Sequence, residues 1–157
     1  FVELLNRPPM AFLALRYGPD LPHPTTAHYG PQAMLINGWA GSGGDALPWM
    51  YRTAGRGLII GTRTWGGLIG PAVGHRLIDG GTVVVPPRRL YGPDGKWFAE
   101  GHGVEPDIFV PEDPTHLARG VDVQLDRAIL EVEKQLDDQP DRILPRPEYE
   151  NRSGVEQ

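Results

Sequence analysis

Five consecutive small residues, Ala40-Gly-Ser-Gly-Gly44, constrain the fold more than any other part of the chain. The run before them, residues 33–36, is continuously apolar and predicts a strand that is buried on both faces. After them, Asp45 is predicted to cap a short helix that ends near Gly55. Because glycine permits a tight reversal of the backbone, the predicted order is strand, tight turn and helix.

Apolar periodicity and turn residues predict the other elements. The helix after the turn has Leu47, Met50 and Tyr51 on one side. A final helix over residues 121–136 carries an apolar stripe that is expected to dock on the sheet. The remaining predictions are a proline-rich loop (16–31), a buried strand (58–60), a strand pair (75–78 and 82–85) around the turn 79–81, a turn (91–95) and a short apolar piece (107–110).

Length and charge limit the class of partner. The chain has 157 residues and 39% hydrophobic content, enough for one domain with a core. Twenty acidic and fifteen basic side chains give a net charge of −5, and the basic residues are scattered. This pattern argues against nucleic acid or a membrane surface as a partner and favours a small molecule or a polypeptide. No apolar run is long enough to span a bilayer.

The two ends of the sequence differ in character. Residues 1–136 contain the predicted elements, whereas 137–157 form a proline-rich, charged tail that is predicted to be flexible. The chain opens at Phe1 without an initiator methionine and without the start of a secretion signal. We therefore expect a fragment or a processed chain whose upstream part is missing.

Ser42 is the candidate nucleophile. A serine between glycines at a strand-to-helix turn leaves room for substrate, and the helix N-terminus offers free N–H groups. The Gly43 N–H, directly after the serine, is placed to stabilise an oxyanion. Linkers and phosphate-binding turns share the Gly-Ser-Gly-Gly pattern, so the turn alone leaves the catalytic and the structural interpretation open.

Four motifs in order carry a resemblance to a known family. They are Asn37-Gly-Trp-Ala-Gly-Ser-Gly-Gly-Asp45, Gly61-Thr-Arg-Thr-Trp-Gly-Gly67, Arg76-Leu-Ile-Asp-Gly80 and Glu100-Gly-His-Gly-Val-Glu-Pro-Asp107. Their order and spacing resemble the serine protease core of tricorn-type enzymes, within the S41-like, C-terminal-processing peptidase superfamily. The resemblance covers residues 16–136 and implies that residues 1–136 are the C-terminal part of a catalytic core domain. It implies an α/β, crotonase/ClpP-like fold, in which a mixed sheet coils into a superhelix with helices packed around it.

The resemblance also assigns roles. It makes Ser42 the nucleophile, the Gly43 N–H one oxyanion donor, and Glu100 the carboxylate that orients a second serine, which in turn orients the catalytic histidine. The family usually has aspartate after the nucleophile where this chain has Gly43, but only the backbone of that residue is used. The histidine, its serine partner and the second oxyanion donor are expected upstream of Phe1.

Other bases fit the sequence poorly. None of the five histidines stands at the matching position, and His102 is the internal alternative because it lies close to Glu100 in sequence. Related processing peptidases use a lysine where this chain has Arg63. Arginine stays protonated, so a serine-lysine pair is excluded at that position.

The partners follow from this interpretation. Arg63 and Trp65 are expected to contact substrate, with packing as an equal alternative. The resemblance implies peptide substrates, a cytoplasmic homo-oligomer and association with the missing upstream part. The sequence predicts no cofactor and no metal site.

A binding module for a ligand or peptide on the same fold is the alternative function, in which Ser42 would be an ordinary turn residue.

Overall fold

The computed structural model describes residues 1–72, 74–138, 146–150, 152 and 154. The helices are α1 (Val2–Leu5), α2 (Gly43–Thr53), α3 (Pro114–Leu117) and α4 (Val123–Asp137). The strands are β1 (Ala11–Leu13), β2 (Leu21–His23), β3 (Ala33–Ile36), β4 (Leu58–Gly61), β5 (His75–Arg76), β6 (Thr82–Val83) and β7 (Ile108–Phe109). The chain therefore has mixed α and β content, as predicted.

A three-stranded parallel sheet with the order β3-β4-β7 carries the fold. Ala33 pairs with Leu58 at one end of the β3–β4 ladder, and Ile36 pairs with Gly61 at the other. Helix α2 connects these two parallel strands, and α4 packs against both of them. This arrangement places the glycine-rich turn at the carboxyl end of β3. Two antiparallel pairs, β1-β2 and β5-β6, lie outside this sheet.

Two apolar clusters form the core. One joins Ile36, Tyr51 and Ile59 between the sheet and α2. The other lies under the turn that follows β4 and includes Leu68, Phe98, Ala99 and Val104. Trp49 of α2 stacks on Phe98 with ring centroids 3.8 Å apart, which fixes the first turns of α2 against the second cluster.

The predicted strands and helices are largely confirmed, with differences in burial. Strand β3 has the predicted bounds, but Leu35 is 40% exposed because β3 pairs on one side only in the described part of the chain. On α2 the side chain of Met50 is exposed, and the fully buried positions are Asp45, Pro48 and Tyr51. The predicted apolar face of α2 is therefore wrong at Met50.

The segments outside the sheet differ more. The predicted loop 16–31 contains β2, which pairs with β1, so the prediction of a loop is wrong over Leu21–His23. The strand pair around residues 79–81 is confirmed, but each strand has only two residues. Helix α4 begins after Asp122, whose carboxylate accepts from the N–H groups of Gln124 and Leu125.

The predicted flexible tail lies mostly outside the described residues, which omit 139–145, 151, 153 and 155–157. In its described part, Arg146 forms an ion pair with Asp20. In the described ranges, no helix combines the length and the apolar content that crossing a membrane requires.

Candidate active site

Ser42 occupies the turn that joins β3 to α2. Its backbone has φ 53° and ψ −107°, and the residue is exposed. The Ser42 carbonyl accepts from the N–H groups of Asp45 and Ala46, which starts the helix. The Ser42 hydroxyl has no hydrogen-bond partner among the described residues. The turn therefore presents an unpaired hydroxyl at the N-terminus of a helix.

The first N–H groups of α2 supply a positive potential next to this hydroxyl. The Gly43 N–H finds no acceptor within the described part of the chain, as expected at the first position of a helix. A Cβ built on Gly43 meets no atom within 4 Å. The site can therefore place a negatively charged oxygen near both the Ser42 hydroxyl and the Gly43 N–H.

A cavity of about 540 Å³ opens beside Ser42. Its lining joins the glycine-rich turn, the segment after β4 and the turn near residue 100. The lining residues are Ser42, Trp65, Gly66, Gly67, Ile69, Gly70, Pro71, Glu100 and Gly101. Ser42 and Glu100, the two residues singled out from the sequence as catalytic, therefore line one cavity.

Glu100 is held by backbone groups. Its Oε2 accepts from the N–H groups of Leu68 (2.8 Å) and Ile69 (2.7 Å). Glu100 and Ser42 form no hydrogen bond with each other in the described structure. This arrangement fixes the carboxylate at the cavity while its second oxygen stays available to another group.

Strained backbone conformations occur at Ser42 and at the residue before Glu100. Among the described residues, the non-glycine residues with positive φ are Ser42 and Ala99, which immediately precedes Glu100. Such conformations cost about 1–3 kcal/mol each and concentrate at functional sites. The strain at these two positions supports a functional role for the cavity.

Asp45 does not cap α2, so that prediction is wrong. The residue is 0% exposed, and its Oδ1 accepts from the Thr64 hydroxyl (2.5 Å) and the Gly66 N–H (2.8 Å). The carboxylate turns inward because these two donors lie in the interior, beside the first turn of α2. Its Oδ2 is buried without a partner, which costs about 1–3 kcal/mol.

Trp65 and Arg63 lie in different surroundings. Trp65 is 67% exposed and lines the cavity. Arg63 is absent from the cavity lining; its guanidinium donates to the His102 carbonyl and lies 3.6 Å from the Glu105 carboxylate. The substrate contact expected for Arg63 stays a prediction.

No histidine of this chain contacts Ser42 by a hydrogen bond in the described structure. All five are described, and none lines the cavity. His102 Nδ1 lies 3.0 Å from the Glu100 backbone carbonyl, not from the Glu100 carboxylate. His116 Nδ1 pairs with Asp113, whose pKa is lowered mainly by the backbone N–H of His116. Within the described ranges, His, Asp and Glu side chains form no group of three that could hold a metal ion.

The sequence analysis missed several groups that build the site. The N–H groups of Leu68 and Ile69 hold Glu100, and the Thr64 hydroxyl holds Asp45. Almost every residue has a backbone N–H, so the residue types in a sequence do not show which N–H groups will hold a side chain. A signal did exist for Thr64, because it lies in one of the four motifs.

The comparison with known families agrees with this geometry. Residues 15–110, more than half of the chain, match the model of peptidase family S41. This chain therefore belongs to peptidase family S41.

Within that family the chain is similar to tricorn proteases. It is 38% identical over 124 residues to tricorn protease homolog 1 of Streptomyces coelicolor and 34% identical over 132 residues to the tricorn protease of Thermoplasma acidophilum. These alignments cover 78% and 84% of this chain. A crystal structure of the tricorn protease superposes with a TM-score of 0.73 and 33% identity over 85% of this chain.

The chain spans only a small part of these relatives. It covers 12% of the length of each of the two curated proteins and 13% of the chain in the tricorn crystal structure. The match thus concerns one region of much longer proteins.

Proposed function

We propose that this chain is the nucleophile-bearing part of a tricorn-like serine peptidase that hydrolyses oligopeptides. The observation that carries the proposal is the exposed Ser42 hydroxyl, which lies without a partner in the described structure beside the free Gly43 N–H and shares a cavity with Glu100. Membership of peptidase family S41 supports the same reaction class.

The proposed reaction begins with attack of the Ser42 Oγ on a peptide carbonyl. A histidine base takes the hydroxyl proton and then gives it to the leaving amine. The Gly43 N–H donates to the oxyanion of the tetrahedral intermediate. Water then hydrolyses the acyl-enzyme, and the base again transfers the proton.

The base is proposed to come from a segment upstream of Phe1. This is supported by the absence of all five histidines from the cavity lining in the described structure. The free oxygen of Glu100 would accept from an intervening serine that orients this histidine. Trp65 is proposed to contact the peptide because it is exposed at the cavity.

The finer architecture and assembly also belong to the proposal. We infer that the complete catalytic domain is a crotonase/ClpP-like superhelix, of which the parallel sheet β3-β4-β7 is one part. We further propose a cytoplasmic homo-oligomer, by analogy with the tricorn-type proteins that the chain resembles.

A fluorophosphonate probe tests the function. In the complete protein the probe should label Ser42, and mass spectrometry should find the adduct on the peptide that contains this residue. Ser42→Ala should abolish labelling, because among the described residues that line the cavity Ser42 is the one that carries a hydroxyl. A complete protein that is correctly folded but unlabelled would overturn the peptidase proposal and favour the binding module.

A further inference from the structure

We infer that Asp45 and Thr64 are positioning residues for the nucleophile, an inference that rests on the proposed function. Both are inaccessible to solvent, with Asp45 at 0% and Thr64 at 1% exposure. Neither lines the cavity or reaches the Ser42 hydroxyl. Their effect must therefore pass through the backbone.

The backbone of residues 64–69, here called the bridging segment, bonds to both sides of the cavity. Its Gly67 carbonyl accepts from the Ser42 N–H (2.9 Å), and its Gly66 carbonyl accepts from the Gly101 N–H (2.8 Å). The N–H groups of Leu68 and Ile69, which also belong to this segment, donate to the Glu100 carboxylate. The distance between Ser42 and Glu100 thus depends on where this segment lies.

Asp45 and the side chain of Thr64, the first residue of the bridging segment, hold this segment from the interior. Asp45 Oδ1 receives the Thr64 hydroxyl and the Gly66 N–H, and Thr64 Oγ1 in turn accepts from the Val104 N–H at 2.7 Å. One chain of hydrogen bonds therefore ties the first turn of α2 to the bridging segment and to the turn after Glu100. Since water is excluded, no solvent molecule can replace a lost partner.

The close approach of these backbones explains why the ties matter. Gly66 has φ +89°, and a Cβ at this position would lie 2.5 Å from the Gly103 nitrogen. The bridging segment and the 99–104 turn therefore meet backbone to backbone. Side chains cannot fill the gap between these two backbones if the segment shifts. The hydrogen bonds therefore set its position, together with the packing of Leu68 in the second apolar cluster.

The test compares isosteric variants of the complete protein. Thr64→Val removes the hydroxyl and keeps the side-chain volume, whereas Thr64→Ser keeps the hydroxyl. We expect Thr64→Val to lower kcat and the rate of fluorophosphonate labelling of Ser42 on the order of 10- to 100-fold, because small displacements of reacting groups have effects of this size. KM should change by less than about threefold, and Thr64→Ser should restore kcat. Asp45→Ala, which removes the acceptor of the Thr64 and Gly66 bonds, should show the same split between kcat and KM.

A control separates positioning from simple loss of stability. Gln124 is also buried and polar, but it lies on α4 and donates to the Val110 carbonyl. Gln124→Met should lower the unfolding midpoint without slowing the labelling of Ser42. The two variants are compared under conditions in which their free energies of unfolding are equal. If Thr64→Val then slows the labelling of Ser42 no more than Gln124→Met does, the positioning role is wrong.

Hydrogen exchange provides a readout that does not need activity. In Thr64→Val the amides of Ser42 and Gly101 should exchange about tenfold faster, while the amides of α4 stay unchanged. Unchanged exchange at Ser42 and Gly101 would overturn the inference. A third outcome is that these amides exchange faster in Thr64→Val although the unmutated protein does not react with the fluorophosphonate probe. Asp45 and Thr64 would then still position the Ser42 backbone, and only the proposed peptidase function would be overturned.

Discussion

At the scale of single residues, the contacts of Glu100 decide how its role can be tested. The carboxylate uses Oε2 to accept two N–H groups and keeps its other oxygen at the cavity. A glutamine at this position can keep both backbone bonds through its amide oxygen. It loses the negative charge that would support a cationic base.

We therefore predict that Glu100→Gln in the complete protein lowers kcat/KM about 100-fold while the unfolding midpoint changes little. The effect should be smaller than that of losing a carboxylate bonded directly to the histidine, because a serine is proposed to stand between them. Peptide hydrolysis and urea unfolding measure the two quantities. Glu100→Ala is the matched variant, which should lose activity and also stability, since two N–H groups lose their acceptor. Full activity in Glu100→Gln would remove Glu100 from the mechanism.

At this scale the sequence pointed to groups that line the cavity better than to fully buried ones. Ser42 and Glu100 were predicted as site residues because their neighbours form recognisable motifs, and the structure brings them to one cavity. Asp45 was assigned to a helix cap because an aspartate near a helix start usually has that role. Its true donors, on Thr64 and Gly66, are about twenty positions away in sequence, so only the folded chain reveals them.

At the scale of elements, α4 is the helix whose start can be tested directly. Asp122 lies at its N-cap position, and one carboxylate oxygen accepts from Gln124 (3.1 Å) and Leu125 (3.0 Å). We predict that Asp122→Ala destabilises the chain by about 0.5–2 kcal/mol, the usual effect of losing a cap.

Urea unfolding of the chain followed by circular dichroism measures this change. Asp122→Asn is the control, because its amide oxygen can still accept from the same N–H groups. A loss in Asp122→Asn as large as that in Asp122→Ala would mean that the charge, and not the cap, stabilises the start of α4.

Elements with strong periodicity were predicted best. Helix α4 and strand β4 follow from apolar spacing, and the structure has them within two residues of the predicted bounds. Strand β2 was missed because it is three residues long, contains Pro22 and exists only by pairing with β1. The exposure of Leu35 could not be predicted, because burial of a strand depends on neighbours that its own sequence does not contain.

At the scale of the whole molecule, the proposed site is divided between this chain and an upstream segment. We predict that the isolated 157-residue chain reacts with the fluorophosphonate probe at close to the background rate. A serine hydroxyl without a base is a poor nucleophile, and members of such a catalytic group act as a unit.

Labelling of the isolated chain beside the complete protein measures this difference. Circular dichroism of the isolated chain is needed to show that its helices are present. Strong labelling of the isolated chain would contradict the split site and point to His102 as the base. His102→Ala in the same chain would then identify it.

The open space at Gly43, next to the cavity residue Ser42, makes this position suitable for chemical attachment. This chain contains no cysteine, so Gly43→Cys would introduce its single thiol, one residue from Ser42 and with no atom within 4 Å of the new Cβ. The helix N-terminus favours the reactive thiolate form of such a cysteine. The emission of a fluorophore coupled there would change when a bound ligand alters the polarity around it. This change would occur even in Ser42→Ala, which cannot cleave a peptide bond. The residue beside the nucleophile thus offers a way to measure occupancy separately from turnover.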